Sequence, residues 1–141
     1  MVEIKKAEEK DIKTIQDLDW VKERSDFLAK SVRFGQCWLA RIENKTVGFV
    51  IFDQSFFENT FVKLLIVHED YRRKGVGTAL MRHVEKICLT EKLFTSTNES
   101  NIPAQKLYES LGFVKSGFVE NLDDDDLEIF YFKKLDAIDR K

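Results

Sequence analysis

The segment 64–80 contains the residues best suited to bind a phosphate group. Its apolar first part predicts a strand, three successive cations follow at 72–74, and Gly75 and Gly77 stand where a helical pattern begins. Backbone N–H groups at a helix N-terminus point toward one place, where the helix dipole adds partial positive charge. Glycine lets phosphate oxygens approach the main chain, and cationic side chains add full charges. The pattern therefore predicts a binding site for a diphosphate.

Two common phosphate motifs do not fit this segment. The Walker motif requires Lys-Ser or Lys-Thr directly after its last glycine, whereas Val76 follows Gly75 and Thr78 follows Gly77. The dinucleotide fingerprint requires a small residue three positions after its second glycine, where this chain has Leu80. The structural alternative is a strand-to-helix turn in which the glycines only cap and the cations are only solvated.

Hydrophobic periodicity predicts the elements that must position this turn. Apolar runs predict strands over 2–6, 36–42, 47–52, 61–67, 93–97, 113–119 and 127–133. Helical spacing predicts helices over 11–21, more weakly over 21–32, from residue 75 onward, and over 102–111. The resulting order β-α-α-β-β-β-α-β-α-β-β predicts the α/β class, with a central mixed, mostly antiparallel sheet flanked by helices.

Three local features refine these elements. Asn44-Lys45 predicts a hairpin turn, because Asn tolerates positive φ. The nearly continuous apolar run 61–67 predicts a strand buried on both faces. Asn101 is the predicted N-cap of the last helix, which Gly112 ends.

Composition narrows the class of protein. The chain has 141 residues, 43% hydrophobic and 34% charged, which predicts a single domain over 1–141 and excludes a disordered chain. A formal net charge of −2 argues against a nucleic-acid binder. No apolar run approaches the roughly 20 residues that a membrane span needs. Cys37 and Cys88 have neither metal-ligand nor disulfide-framework spacing. From these observations together, we predict a cytoplasmic protein without metal, nucleic-acid or membrane partners.

Two motifs together resemble a known family. Arg72-x-x-Gly75-x-Gly77 after a hydrophobic strand resembles the acetyl-coenzyme A pyrophosphate loop of the GNAT superfamily of N-acetyltransferases. A second motif resembles the helix that lies beside the pantetheine arm in that superfamily: Asn101-x-x-Ala104-x-x-Leu107-Tyr108-Glu109-x-x-Gly112-Phe113. The motifs have the family's order and spacing, and the predicted elements match its fold over essentially the whole chain.

The resemblance implies acetyl-CoA as cosubstrate and acetyl transfer to a primary amine by direct attack in a ternary complex. It implies that the backbone of Leu65, Ile66 and Val67 binds the pantetheine. It assigns the pyrophosphate to Arg72, Arg73, Lys74, Gly75, Val76, Gly77 and Thr78. Asn101 matches a side-chain contact to the cofactor arm, with the N-cap role as its alternative.

Tyr108 matches a tyrosine that many family members place near the cofactor sulfur. A free thiol has a pKa of about 8.5 and a tyrosine about 10, so the phenol stays protonated at pH 7 and can donate to a leaving thiolate. The alternative is a tyrosine that only packs at the edge of the core. Tyr108 is therefore the one candidate catalytic residue.

No general base is assigned from the sequence. Relatives that acetylate protein N-termini often carry a glutamate on the strand before the second motif, and the matching stretch 94–97 has no carboxylate. Glu99, Glu128 or Asp53 can relay a proton through water, although each is more often a solvated carboxylate. This departure keeps open an alternative function, a non-catalytic CoA-binding regulatory or sensor module.

Two segments concern the acceptor and possible partners. The acidic stretch 120–128 predicts a solvated turn, with attraction of a cationic amine as the alternative. Phe56, Phe57 and Phe61 fit an acceptor pocket, a homodimer contact or ordinary core packing. The sequence does not choose among these three.

Overall fold

The computed structural model describes residues 1–136, which form two compact units. The first unit comprises Met1–Phe52 and Leu64–Val84. The second unit comprises Asp53–Lys63 and the chain from Glu85 onward.

The described chain contains seven strands, four α-helices and three short 3-10 turns. The strands are β1 Glu3–Lys6, β2 Cys37–Ile42, β3 Lys45–Phe56, β4 Asn59–Val67, β5 Lys92–Asn98, β6 Val114–Asp123 and β7 Asp126–Lys134. The helices are α1 Ile12–Leu18, α2 Ser25–Arg33, α3 Val76–Ile87 and α4 Ile102–Ser110. The 3-10 turns are Glu9–Asp11, Lys22–Arg24 and Glu69–Tyr71. The predicted order of strands and α-helices is confirmed.

In the first unit the strand order is β1-β2-β3-β4, and β2 pairs antiparallel with both of its neighbours. Helices α1 and α2 contribute apolar residues at helical spacing to one core with these strands. That core consists of Ala7, Ile12, Ile15, Leu28, Val32, Cys37, Leu39, Phe49, Ile51 and Ile66. A Cβ on Gly48 would lie 2.7 Å from the Ile66 carbonyl oxygen, so only glycine fits at that position of β3.

In the second unit the strand order is β3-β4-β5-β7-β6. The β4–β5 pair is parallel from Thr60 opposite Leu93, whereas β7 pairs antiparallel with both β5 and β6. The sheet is therefore mixed, as predicted. All ten residues of β6, the outermost strand described, are exposed, and Gly117 and Asn121 on it have φ of 119° and 75°.

The side chains of β5 alternate between the two faces of the sheet. Leu93, Thr95 and Thr97 are buried, whereas Phe94 and Ser96 are half-buried on the opposite face. Directly paired residues of neighbouring strands point to the same face, so the β7 partners of β5 divide in the same way.

Several details predicted from the sequence differ from the structure. The hairpin turn lies at Glu43-Asn44, with φ of 50° and 67°, because Lys45 is already in β3. Strand β4 is not buried on both faces, since Lys63 is exposed and forms an ion pair with Asp53. Two further differences concern lengths: β3 runs four residues beyond the predicted 52, and α1 ends at residue 18 instead of 21. The acidic stretch is mostly strand, with a turn only at 124–125.

Helix α1 ends early because Asp19 turns out of it to organise the following loop. Its buried carboxylate accepts hydrogen bonds from Arg24 Nε at 2.7 Å, from Arg24 Nη2 at 2.9 Å and from the Val21 N–H at 2.9 Å. Burial alone would raise the pKa of Asp19, but the hydrogen bonds from Arg24 and Val21 outweigh it, so the pKa lies below its usual value.

We expect Asp19→Asn to lower the free energy of unfolding by about 1–3 kcal/mol, because it removes a charged acceptor from a buried pair. The matched control is Asp17→Asn, whose exposed ion pair with Lys13 should contribute less than about 0.5 kcal/mol. Urea denaturation measures both. An equal effect of the two substitutions would contradict the structural role of Asp19.

The same pair predicts a pH dependence. The pKa of Asp19 is lower in the folded state than in the unfolded state, so its contribution is complete above the ordinary Asp value of about 3.9. It is lost as pH falls through the lowered pKa. The stability difference between wild type and Asp19→Asn should therefore shrink only in that acidic range.

Candidate functional site

The turn between β4 and α3 is shaped by local hydrogen bonds and two left-handed residues. The His68 N–H donates to the Val47 carbonyl at 2.8 Å, and His68 Nδ1 accepts from the Asp70 N–H at 3.1 Å. Arg73 and Gly75 then have φ of 64° and 80°. The turn therefore reverses the chain within a few residues, directly before α3.

The buried face of α3 fixes where the helix begins. Val76, Leu80 and Val84 are buried at four-residue spacing, so this face of the helix packs inward from its first residue. The Ala79 N–H donates to the Gly75 carbonyl at 2.9 Å. The N–H groups of residues 76–78 therefore precede the helical ladder and face outward from the helix N-terminus.

A group of exposed cations precedes these donors: Arg72, Arg73 and Lys74. Arg72 Nε donates to the Val67 carbonyl at 3.2 Å, which ties the turn back to the end of β4. Lys74 Nζ lies 5.6 Å from the centre of the Tyr71 ring, and Lys45 Nζ lies 5.3 Å from it. Together with the helix dipole, these charges favour an anion at the start of α3.

The first unit thus holds ten of the residues predicted to bind the cofactor. Leu65, Ile66 and Val67 form the end of β4, and the turn and the first residues of α3 contain Arg72, Arg73, Lys74, Gly75, Val76, Gly77 and Thr78. The end of β4 therefore leads directly into the turn.

The second unit holds the other two predicted residues, Asn101 and Tyr108. Asn101 Oδ1 accepts a hydrogen bond from the Ala104 N–H at 3.2 Å, which confirms its predicted role as N-cap of α4. The cap uses only the carbonyl oxygen of the side chain, and Asn101 is exposed. Its amide nitrogen can still contact a ligand.

Tyr108 is 4% exposed and packs between Phe113, which follows α4, and Tyr131 of β7. Its ring centre lies 5.5 Å from that of Tyr131 and 5.8 Å from that of Phe113. Burial raises the pKa of Tyr108, and the charge of Glu128 raises it further, while a hydrogen bond with the Thr95 side chain acts in the opposite direction. The net result is a pKa above the usual value, so the phenol is protonated at neutral pH.

The three candidate carboxylates have different surroundings. Asp53 is bonded to Lys63 Nζ at 2.8 Å and to the Ser55 hydroxyl at 2.7 Å, and Glu99 is exposed. Glu128 is half-buried and accepts a hydrogen bond from Ser96 Oγ at 2.6 Å.

Glu128 is thus a half-buried carboxylate whose charge acts on Tyr108. Sequence reasoning did not single out its partner Ser96. The two residues are 32 positions apart, and only the register of β5 with β7 joins them.

The described residues show no other obvious reactive centre. Burial raises the pKa of the Cys37 thiol to about 12, so it is not a thiolate at neutral pH. Within residues 1–136, no three His, Cys, Asp or Glu side chains cluster as metal ligands would. None of the helices in this part of the chain is long and apolar enough to cross a membrane.

Comparison with known proteins identifies similar chains. Residues 4–113 match the model of the acetyltransferase (GNAT) family. N-alpha-acetyltransferase 30 of Xenopus laevis is 32% identical over 111 residues, which are 72% of this chain. The chain spans only 37% of that protein's length.

Solved structures show the same likeness. A GNAT-family acetyltransferase of Bacillus cereus has a TM-score of 0.90 and 36% identity, covering 96% of this chain and 98% of that one. A Bacillus anthracis structure solved in complex with acetyl coenzyme A has a TM-score of 0.65 and 23% identity, covering 70% and 61%. The second likeness concerns the fold alone.

The raised pKa of Tyr108 can be measured. The chain has three tyrosines, and alkaline titration of phenolate absorbance should give Tyr108→Phe the same curve as wild type up to about pH 10. The absorbance of Tyr108→Phe should fall below that of wild type only above that pH, because burial disfavours the phenolate of Tyr108. Circular dichroism at each pH confirms that the fold persists. Amplitude missing below pH 10 would show that Tyr108 ionises normally.

Proposed function

The chain belongs to the GNAT family of acetyltransferases, and from that premise we propose that it transfers the acetyl group of acetyl-CoA to a primary amine. The observation that carries the proposal is the start of α3, where backbone donors, a glycine turn and three cations converge. This segment lies inside the range that matches the family model.

In this proposal, the diphosphate of acetyl-CoA accepts hydrogen bonds from the N–H groups of Val76, Gly77 and Thr78. Three cations balance its charge: Arg72, Arg73 and Lys74. Gly75 supplies the left-handed turn, with φ of 80°, that brings the main chain to the helix start. The backbone of Leu65, Ile66 and Val67 pairs with the pantetheine, and the amide nitrogen of Asn101 contacts the same arm.

The proposed reaction is direct attack of a neutral amine on the thioester carbonyl carbon. The new C–N bond forms, the C–S bond breaks, and the sulfur leaves as a thiolate. Tyr108 donates a proton to that thiolate, which is consistent with a phenol that stays protonated at neutral pH. An alkyl amine has a pKa of about 10.4, so it must lose a proton before attack.

That proton passes to water or to a carboxylate. Glu128 is the favoured acceptor of the three candidates, because Asp53 is already neutralised by Lys63 and Glu99 is exposed.

The domain organisation and the cellular location also belong to this proposal. A single functional domain over 1–141 is supported by the family match, which extends through parts of both units. A cytoplasmic location agrees with Cys37 and Cys88 being buried free thiols. The homodimer stays a prediction from the sequence.

Acetyl-CoA should raise the melting temperature of the protein by several degrees, since a ligand at 100 times its Kd adds roughly 2.7 kcal/mol. Gly77→Glu should abolish this rise, because the new carboxylate would occupy the place of the diphosphate and repel its negative charge. Lys86→Gln is the matched control: it also changes the charge by one unit and lies at the exposed far end of α3.

Thermal unfolding with and without acetyl-CoA measures all three proteins. If saturating acetyl-CoA shifts none of them, the proposed function fails. If the shift survives Gly77→Glu, the diphosphate binds elsewhere.

Tyr108→Phe should lower kcat by at least about 100-fold and leave the KM for acetyl-CoA unchanged, because only the proton donor is lost. Tyr131→Phe is the matched control, since that buried tyrosine lies beside Tyr108 and its hydroxyl has no hydrogen-bond partner in the described chain. Steady-state kinetics with an amine panel measures both. Unchanged turnover of Tyr108→Phe would remove Tyr108 from catalysis, and turnover of no amine despite acetyl-CoA binding would favour a regulatory module.

A further inference from the structure

A group of half-buried aromatic rings lies on the face of the second unit's sheet opposite Tyr108. It consists of Phe56, Phe61, Phe94 and Phe130, which we call the phenylalanine face. The ring centre of Phe56 lies 4.9 Å from that of Phe61, 5.2 Å from that of Phe94 and 5.7 Å from that of Phe130. Four large apolar side chains that remain partly exposed together are typical of a binding surface.

Three members of the phenylalanine face, Phe56, Phe94 and Phe130, form one wall of a cavity of about 320 Å³ together with Phe57. Exposed residues of β6, including Phe118 and Val119, line the other side. Gly117 lies between these walls with φ of 119°, and the β6–β7 register shifts beside it. This volume is at the lower end of the range for small-molecule sites, so the cavity suits a small ligand.

Glu128 is a charged group on this face. It lies two residues before Phe130 on β7, so both side chains point to the same face about 7 Å apart along the strand. Its partner across to β6 is Val119, which lines the cavity. The Ser96 hydroxyl holds its carboxylate at 2.6 Å. The cavity therefore combines a mostly apolar lining with an oriented negative charge beside it.

Two other carboxylates of the β6–β7 hairpin accept hydrogen bonds within the structure. Asp123 accepts a hydrogen bond from Asn98 at 2.8 Å, and Asp126 accepts two from Ser100. These bonds connect the β6–β7 hairpin to the end of β5 and to Ser100, which follows it.

We propose that this cavity binds the acceptor, and that the acceptor is a small primary amine carrying an aromatic ring. The ring packs against the phenylalanine face, and the ammonium group lies at Glu128. The faces of aromatic rings attract cations, so the Phe side chains and the carboxylate favour the same ligand. The charge of Glu128 also contributes to the raised pKa of Tyr108, which packs on the other face of the sheet. The assignment as an acceptor site rests on the proposed function.

Three small probes separate the two halves of the ligand. 2-Phenylethylamine has both the ring and the charge, ethylamine has no ring, and 2-phenylethanol has no charge. Calorimetric titration of the full chain in the presence of CoA should show that 2-phenylethylamine binds at least about tenfold more tightly than either other probe. Equal affinity for 2-phenylethylamine and ethylamine would overturn the proposal.

Variants test the residues. Phe118→Ala should abolish the preference for the ring, and Glu128→Gln should abolish the preference for the charge. Phe34→Ala is the matched control, because Phe34 is also an exposed phenylalanine but lies outside the cavity, in the first unit. An equal loss of ring preference in Phe118→Ala and Phe34→Ala would show that the cavity is not the site.

Turnover distinguishes this inference from the proposed function. If acetyl-CoA raises the melting temperature and amines are acetylated without any preference for an aromatic ring, the acceptor inference alone fails. If acetyl-CoA causes no shift and no amine is acetylated, the proposed function fails. Tight binding of 2-phenylethylamine that Phe118→Ala removes would still support the cavity as its binding site.

Discussion

The position at which α3 begins is the constraint on which the donor side of this protein depends. An α-helix leaves its first N–H groups without partners, and here those groups follow a glycine with φ of 80° and three cations. The buried side chains of Val76 and Leu80 decide which residues come first in the helix. A shift of this boundary by one residue would rotate the donors by about 100° around the helix axis.

The local parts of this arrangement follow from the sequence. The four-residue apolar spacing of α3 and the Asn101 cap of α4 each depend on neighbours within one or two turns, and both were predicted. The hairpin turn was displaced by one residue, because Glu43 as well as Asn44 adopts positive φ, which is uncommon for glutamate. Local patterns therefore predict elements better than their ends.

The non-local parts do not follow from the sequence in the same way. The hydrogen bond between Ser96 and Glu128 depends on the pairing of β5 with β7, and the cavity depends on the shifted register near Gly117. Strand register is a property of two distant segments, and a change of one residue moves every side chain to the opposite face. This alternation also separates the two sides of β5, with Thr95 toward the proposed proton donor and Phe94 toward the proposed acceptor site.

The bends in β6 affect the tendency of the chain to aggregate at high concentration. β6 is the outermost strand in the described part of the second unit, it is ten residues long, and it carries exposed Phe118 and Leu122. If an exposed edge strand of this length were flat, strands of other molecules could pair with it and start aggregation. The left-handed residues Gly117 and Asn121 interrupt its register with β7, so the free edge presents only short straight pieces. The irregularity that opens the cavity therefore also protects the chain against fibril-like assembly.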